Sequence, residues 1–186
     1  MKVFLRLIFI IGTFALFIAC SSNRFDYIVK PTPLVKGTTG YSVKNVKVKI
    51  EIFGIKFTKD KEVKGYLSED DMAKVFNEKI TEQLKKNNIF NSNSEYTILL
   101  TINYTRNFAV NSTKVLHPDY SYEWVIEKGG SPVAKFKSPE MTFSGLSLFS
   151  EVLNTGSSDI NPEYELKFIE LISQSIVENT IVDVGK

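Results

Sequence analysis

The strongest constraint on the fold is a change of hydrophobic period along the chain. Over residues 43–53, Val46, Val48, Ile50 and Ile52 alternate with Asn45, Lys47, Lys49 and Glu51. Successive side chains on a strand point to opposite faces, so this stretch reads as a half-buried β-strand. Residues 56–64 are charged and read as a loop or hairpin return. Over residues 68–88 the period becomes helical, with Met72, Val75, Phe76, Ile80 and Leu84 on one stripe. Ser68 with Asp71 three residues later makes a capping-box-like start, Asp standing where Glu is preferred. Glu69, Asp70 and Asp71 place negative charge at the positive end of the helix dipole, and Lys85 and Lys86 suit the other end. Asn87 and Asn88 can stop the helix. Ile89 and Phe90 are expected to tuck into the core.

Period two then returns. Tyr96, Ile98, Leu100, Ile102 and Tyr104 form one face of a strand over 96–107, with Thr97, Thr101, Asn103 and Thr105 on the other. Tyr120, Tyr122, Trp124 and Ile126 alternate with Ser121, Glu123, Val125 and Glu127. Gly129-Gly130 accepts the positive φ of a tight turn and predicts a hairpin, with residues 133–137 as the returning strand. Residues 138–161 are irregular and rich in Ser and Gly. Asn161-Pro162 reads as N-cap and first helical position. Leu166, Phe168, Ile169, Ile172, Ile176 and Val177 then predict a long helix through about residue 180. The order predicts an α+β two-layer sandwich, a small, mostly antiparallel sheet of about four strands with two long helices on one face. The helix between the first two strands allows one parallel or one spaced pair.

The chain start concerns address. Lys2 and Arg6 precede an apolar run over residues 7–18, and Ala19 stands before Cys20, the only cysteine. Twelve residues fall short of the roughly 20 needed to span a bilayer and suit a signal h-region. The residues by themselves also fit an ordinary cleaved signal or an uncleaved anchor. Phe17-Ile18-Ala19-Cys20 resembles the lipobox of bacterial lipoproteins. The resemblance implies cleavage before Cys20 and acyl groups on it: a thioether-linked diacylglycerol, often with a third chain on the amine. Ser21 follows where inner-membrane lipoproteins commonly carry Asp, which by the same resemblance implies the outer membrane, periplasmic face. The expected division is a signal peptide over 1–19, a lipidated N-terminus and extended tether over 20–42, and one domain over 43–186. Pro31, Pro33, Gly37 and Gly40 argue the tether, whose later part is free to dock on the domain.

Composition narrows the function classes. No cysteine follows Cys20, so no intrachain disulfide forms and the fold rests on its core. The chain carries 23 basic and 21 acidic residues, and the signal takes Lys2 and Arg6 with it. A balanced mature chain gives no electrostatic case for nucleic acid or for an anionic membrane surface. His117 is the only histidine, in a polar connection, and is expected to be a surface loop residue rather than a general base. A zinc site of several Cys or His ligands is excluded by count. Glu69-Asp70-Asp71 suits a helix start better than calcium, and no G-x-S-x-G, Walker loop or dinucleotide fingerprint occurs. No catalytic residue, metal or cofactor is therefore expected. The row Tyr120, Tyr122, Trp124 reads as the core face of a strand, with a ligand-stacking face as the alternative. The triplets at Asn103 and Asn111 match the glycosylation pattern by coincidence.

The lead for function is Phe143, Leu146, Leu148 and Phe149, an apolar cluster with no secondary-structure period. Such residues either fold back over the sheet or present a sticky surface. The expectation is a noncatalytic accessory or binding module in envelope assembly or transport. It is anchored to the membrane through Cys20 and meets an envelope protein partner through this cluster. The alternative is a lipid- or glycan-binding lipoprotein using a groove between sheet and helices. In element order the chain resembles small outer-membrane lipoproteins, among them the lipopolysaccharide-assembly lipoprotein and the auxiliary lipoproteins of envelope ABC transporters.

Overall fold

The structure, a computed structural model, describes residues 25–54, 65–108, 117–142, 162–182 and 184. The order is β1 (Asp26–Tyr27), β2 (Ser42–Phe53), α1 (Glu69–Lys86), β3 (Tyr96–Asn107), β4 (Asp119–Lys128), β5 (Ser131–Lys137), β6 (Met141–Thr142) and α2 (Pro162–Ile176). A π-helical turn, Val177–Ile181, continues α2. The strands lie in the order β1-β5-β4-β3-β2, with β6 paired to β4 beside that path.

The α+β class with two helices is as expected, but the sheet is mixed and has six strands rather than about four. The two extra strands are two residues each, too short for any alternation to register. β2 and β3 run parallel, from Ser42↔Thr97 to Phe53↔Asn107. A parallel pair needs a crossover, and α1 supplies it. The other described pairs are antiparallel.

Alternation decides which way the sheet faces. Ile98, Leu100, Ile102 and Tyr104 of β3 and Tyr120, Tyr122, Trp124 and Ile126 of β4 are all buried. They meet Met72, Phe76, Ile80 and Leu84 of α1 and Ile169, Ile172 and Ile176 of α2 in one core. Their neighbours on the strands, such as Thr101, Asn103 and Glu123, stay partly or fully accessible. Both helices thus cover one face, and among the described residues no helix covers the other. The Tyr122 hydroxyl lies 2.6 Å from the Thr180 hydroxyl. This gives a buried phenol the polar partner it needs.

Local chemistry sets the element ends. The Ser68 hydroxyl accepts from the Asp71 amide at 3.1 Å and donates to the Asp71 carboxylate at 2.8 Å. At the other end of α1, Asn88 takes the left-handed conformation (φ 58°). The Ile89 amide then donates back to the Leu84 carbonyl at 3.0 Å, closing the last turn. Gly129 and Gly130 have φ of 55° and 84°, the pair of positive values a two-residue hairpin turn requires. On α2, Leu166 stands 42 % exposed and Glu165 takes the inward position instead.

The stretch expected as a tether is, from Phe25 onward, built onto the sheet. β1 pairs with β5, and Phe25, Leu34 and Tyr41 are buried. Between them the chain passes from the β5 edge, where the Ile28 amide donates to Val133 O, to the β2 edge. On the way Pro33 O accepts from the Tyr96 hydroxyl.

Candidate functional site

One end of the sheet gathers the ends of three connections. Phe53 pairs with Asn107, Thr105 with Asp119, and Asp119 with Thr142. The start of α1 and the first turn of α2 reach the same end, where a buried ion pair ties α2 to β3. The described residues that flank 55–64, 109–116 and 143–161 lie at this end.

The ion pair is Arg106 with Glu165, with side chains 2 % and 3 % exposed. Alternation along β3 places Arg106 on the same face as Ile102 and Tyr104, so a cation enters an otherwise apolar row. Its Nε donates to Glu165 Oε1 at 2.6 Å and its Nη2 to Oε2 at 3.1 Å. Nη2 also donates to the Leu67 carbonyl. Glu165 Oε2 in turn accepts from the Leu67 amide at 3.0 Å. The Tyr66 ring lies 5.2 Å from the guanidinium carbon and meets Phe108 edge-on. β3, the entry to α1 and the first turn of α2 are thus tied by one two-pronged contact.

Burial governs the two phenols at this end. Burial pushes the Tyr66 phenol up to about 12; Glu165 adds to the rise and Arg106 partly opposes it. Tyr104 is raised further, again chiefly by burial. Both stay protonated where most enzymes work, and each carboxylate oxygen of Glu165 already accepts from a donor. The cluster clamps these elements together.

The residues singled out from the sequence fall as follows. Cys20, Phe143, Leu146, Leu148 and Phe149 lie outside the described residues, as does Asn111. The described flanks of the 143–149 cluster do belong to this end: Met141 and Thr142 pair with Tyr120 and Asp119. Trp124 is fully buried and Tyr120 and Tyr122 nearly so, so the aromatic row is core and lines no open groove. His117 is half-buried, its ring edge-on to Phe168 at 6.3 Å. Its carbonyl accepts from Asn107 Nδ2 at 2.9 Å. Glu69, Asp70 and Asp71 occupy the first turn of α1. There Asp71 pairs with Lys74 and Glu69 accepts from the Ile50 amide at 2.9 Å. Asn103 donates to the Ser121 hydroxyl. Among the described residues no cluster of three or more His, Cys, Asp or Glu could hold a metal. No helix among them is long and apolar enough to cross a membrane.

A shallow groove also runs along the outer face of α1, lined by Lys74, Asn77, Glu78, Thr81, Glu82 and Lys85. Its charges alternate and are partly paired, Glu82 with Lys79 and Lys74 with Asp71. That is the pattern of a solvated helix face.

The Arg106–Glu165 pair was missed from the sequence, although a signal for it existed. Arg106 follows Tyr104 at the spacing of inward-facing strand residues. Glu165 stands three, four and seven residues before Phe168, Ile169 and Ile172, on the stripe α2 buries. A cation and an anion each in a core register are a candidate pair, since neither is buried alone without heavy cost.

Comparison with known proteins adds little. No family model and no curated protein matches the chain. A solved structure of a minor lipoprotein from Acinetobacter baumannii overlaps it at 14 % identity, covering 72 % of this chain and 89 % of that one. The TM-score of 0.30 is too low for the overlap to carry an argument about fold or role.

Proposed function

We propose that the chain is a lipoprotein anchored by acyl groups on Cys20 at the periplasmic face of the outer membrane. There it serves as a noncatalytic accessory protein in envelope assembly or transport. The observation that carries the reading is the lone cysteine closing a twelve-residue apolar run, five positions before the first residue packed into the fold. The space between sheet and helices is filled by side chains such as Trp124, Phe76 and Ile172, which favours a protein-contact role over a ligand groove. The contact is assigned to Phe143, Leu146, Leu148 and Phe149, on the connection whose flanks meet the clamped end of the sheet.

The test joins two measurements on protein purified from detergent-solubilised membranes. Mass spectrometry is expected to find a mature chain that begins at Cys20 and carries acyl mass. An intact Met1 start, or a processed end without acyl groups, overturns the anchor. A stoichiometric protein partner is expected to co-purify and to be lost when Leu146, Leu148 and Phe149 become Ser in a still-folded variant. Retention of the partner by that variant overturns the assigned contact. Co-purified lipid or sugar without a protein turns the reading to a ligand-binding lipoprotein.

A further inference from the structure

Chain length limits how far the fold can stand from its anchor. Four residues separate Cys20 from Phe25, and five backbone steps reach at most about 18 Å however they are arranged. Phe25 is not a loose end. It is 5 % exposed, its ring 5.5 Å from Phe136 and 6.3 Å from Tyr27, and β1 begins at the next residue. The β1 edge therefore lies within that reach of any acyl group on Cys20.

The surface beside this edge is unusual for a water-facing one. Five large apolar side chains are exposed among the described residues, and three of them lie on the segment after β1: Ile28 and Val29 directly behind the strand, and Val35 further on, where the chain has crossed toward β2. Charge is uneven in the same sense. Residues 20–36 hold three basic and one acidic side chain, whereas residues 37–186 hold eighteen basic and twenty acidic. Apolar side chains interleaved with Lys30 and Lys36, next to a lipid anchor, suit the boundary between headgroups and acyl chains.

We infer that the segment after β1, through Ile28, Val29 and Val35, forms a second membrane contact, which lays the end of the sheet that this segment crosses, beside Val133 and Tyr96, against the bilayer. The inference rests on the acylation of Cys20 and adds an orientation to it. The end of the sheet carrying Phe53 and the Arg106–Glu165 pair is not held down by this contact.

The test uses the full acylated protein, in which the Cys20 thiol is blocked. A single Ile28→Cys, Val35→Cys or Phe53→Cys substitution then takes one environment-sensitive fluorophore. Each labelled protein is placed in phosphatidylethanolamine–phosphatidylglycerol vesicles containing a nitroxide-labelled lipid. Labels at positions 28 and 35 are expected to shift to the blue and to be quenched by the nitroxide lipid, and the label at 53 to do neither. Equal quenching at all three positions, or none at 28 and 35, overturns the inference. A blue shift at 28 and 35 without lipid quenching also overturns it and points to a second copy on this surface. Acyl mass on Cys20 is read on the same sample before vesicles are added. Its absence removes the premise and overturns both readings, whereas acylated protein with unquenched labels overturns the contact alone.

Discussion

Arg106 and Glu165 show how much one pair of residues can decide. Each charge is out of water and each is satisfied mainly by the other. Removing one partner strands a buried charge, which typically costs about 3–5 kcal/mol, while replacing both with apolar groups of similar size is often neutral. Arg106→Met alone is therefore expected to lower stability by roughly that amount. The double variant Arg106→Met/Glu165→Met is expected to recover most of the loss, as read by urea unfolding. A double variant as unstable as the sum of the singles would mean the two residues act independently. The phenols of the core give a second residue-scale prediction. The ordinary tyrosine value is 10.0, and burial raises Tyr66 to about 12; Tyr104 and Tyr41 are raised as well. Above pH 10 the unfolded chain releases phenolic protons that the folded chain keeps, so alkali favours unfolding. This stability is present in full below pH 10 and is lost as pH rises through about 12. Urea midpoints should fall across that window, and tyrosinate absorbance should grow mainly as the chain unfolds.

At the scale of elements, the segment that crosses from β1 to β2 behaves as part of the domain. Leu34 is 2 % exposed whereas its neighbour Val35 is 56 % exposed. Leu34→Ala is expected to cost about 2–5 kcal/mol, the usual range for a buried leucine. Val35→Ala is expected to stay within about 0.5 kcal/mol. A free tether would show no difference between the two in thermal unfolding. The long elements were legible because each repeats its period several times: β2, α1, β3, β4, β5 and α2 all fall close to the boundaries expected. Residues 25–40 gave no such signal, since prolines and glycines make an extended docked segment read like an extended free one. The inward turn of Glu165 in place of Leu166 was hidden for a related reason. A helix stripe drawn from apolar residues alone skips a charged residue whose partner lies 59 positions away.

For the whole molecule, the fold has two distinct ends and two distinct edges. The β1 edge stands within reach of Cys20, and the end closed by Arg106 and Glu165 carries the flanks of the 143–149 connection. If both contacts hold, an acyl anchor with three apolar side chains sets the orientation, and the connection meets a partner in that orientation. The sequence alone determined the long secondary elements, the thiol-free core and the lipobox-like start, because each is written in residues adjacent or periodic along the chain. Only the tertiary structure decided that β2 and β3 are parallel, since alternation looks the same in either direction. It alone also brought Arg106 to Glu165 and docked Phe25 on Phe136, because those contacts join residues that no local pattern connects.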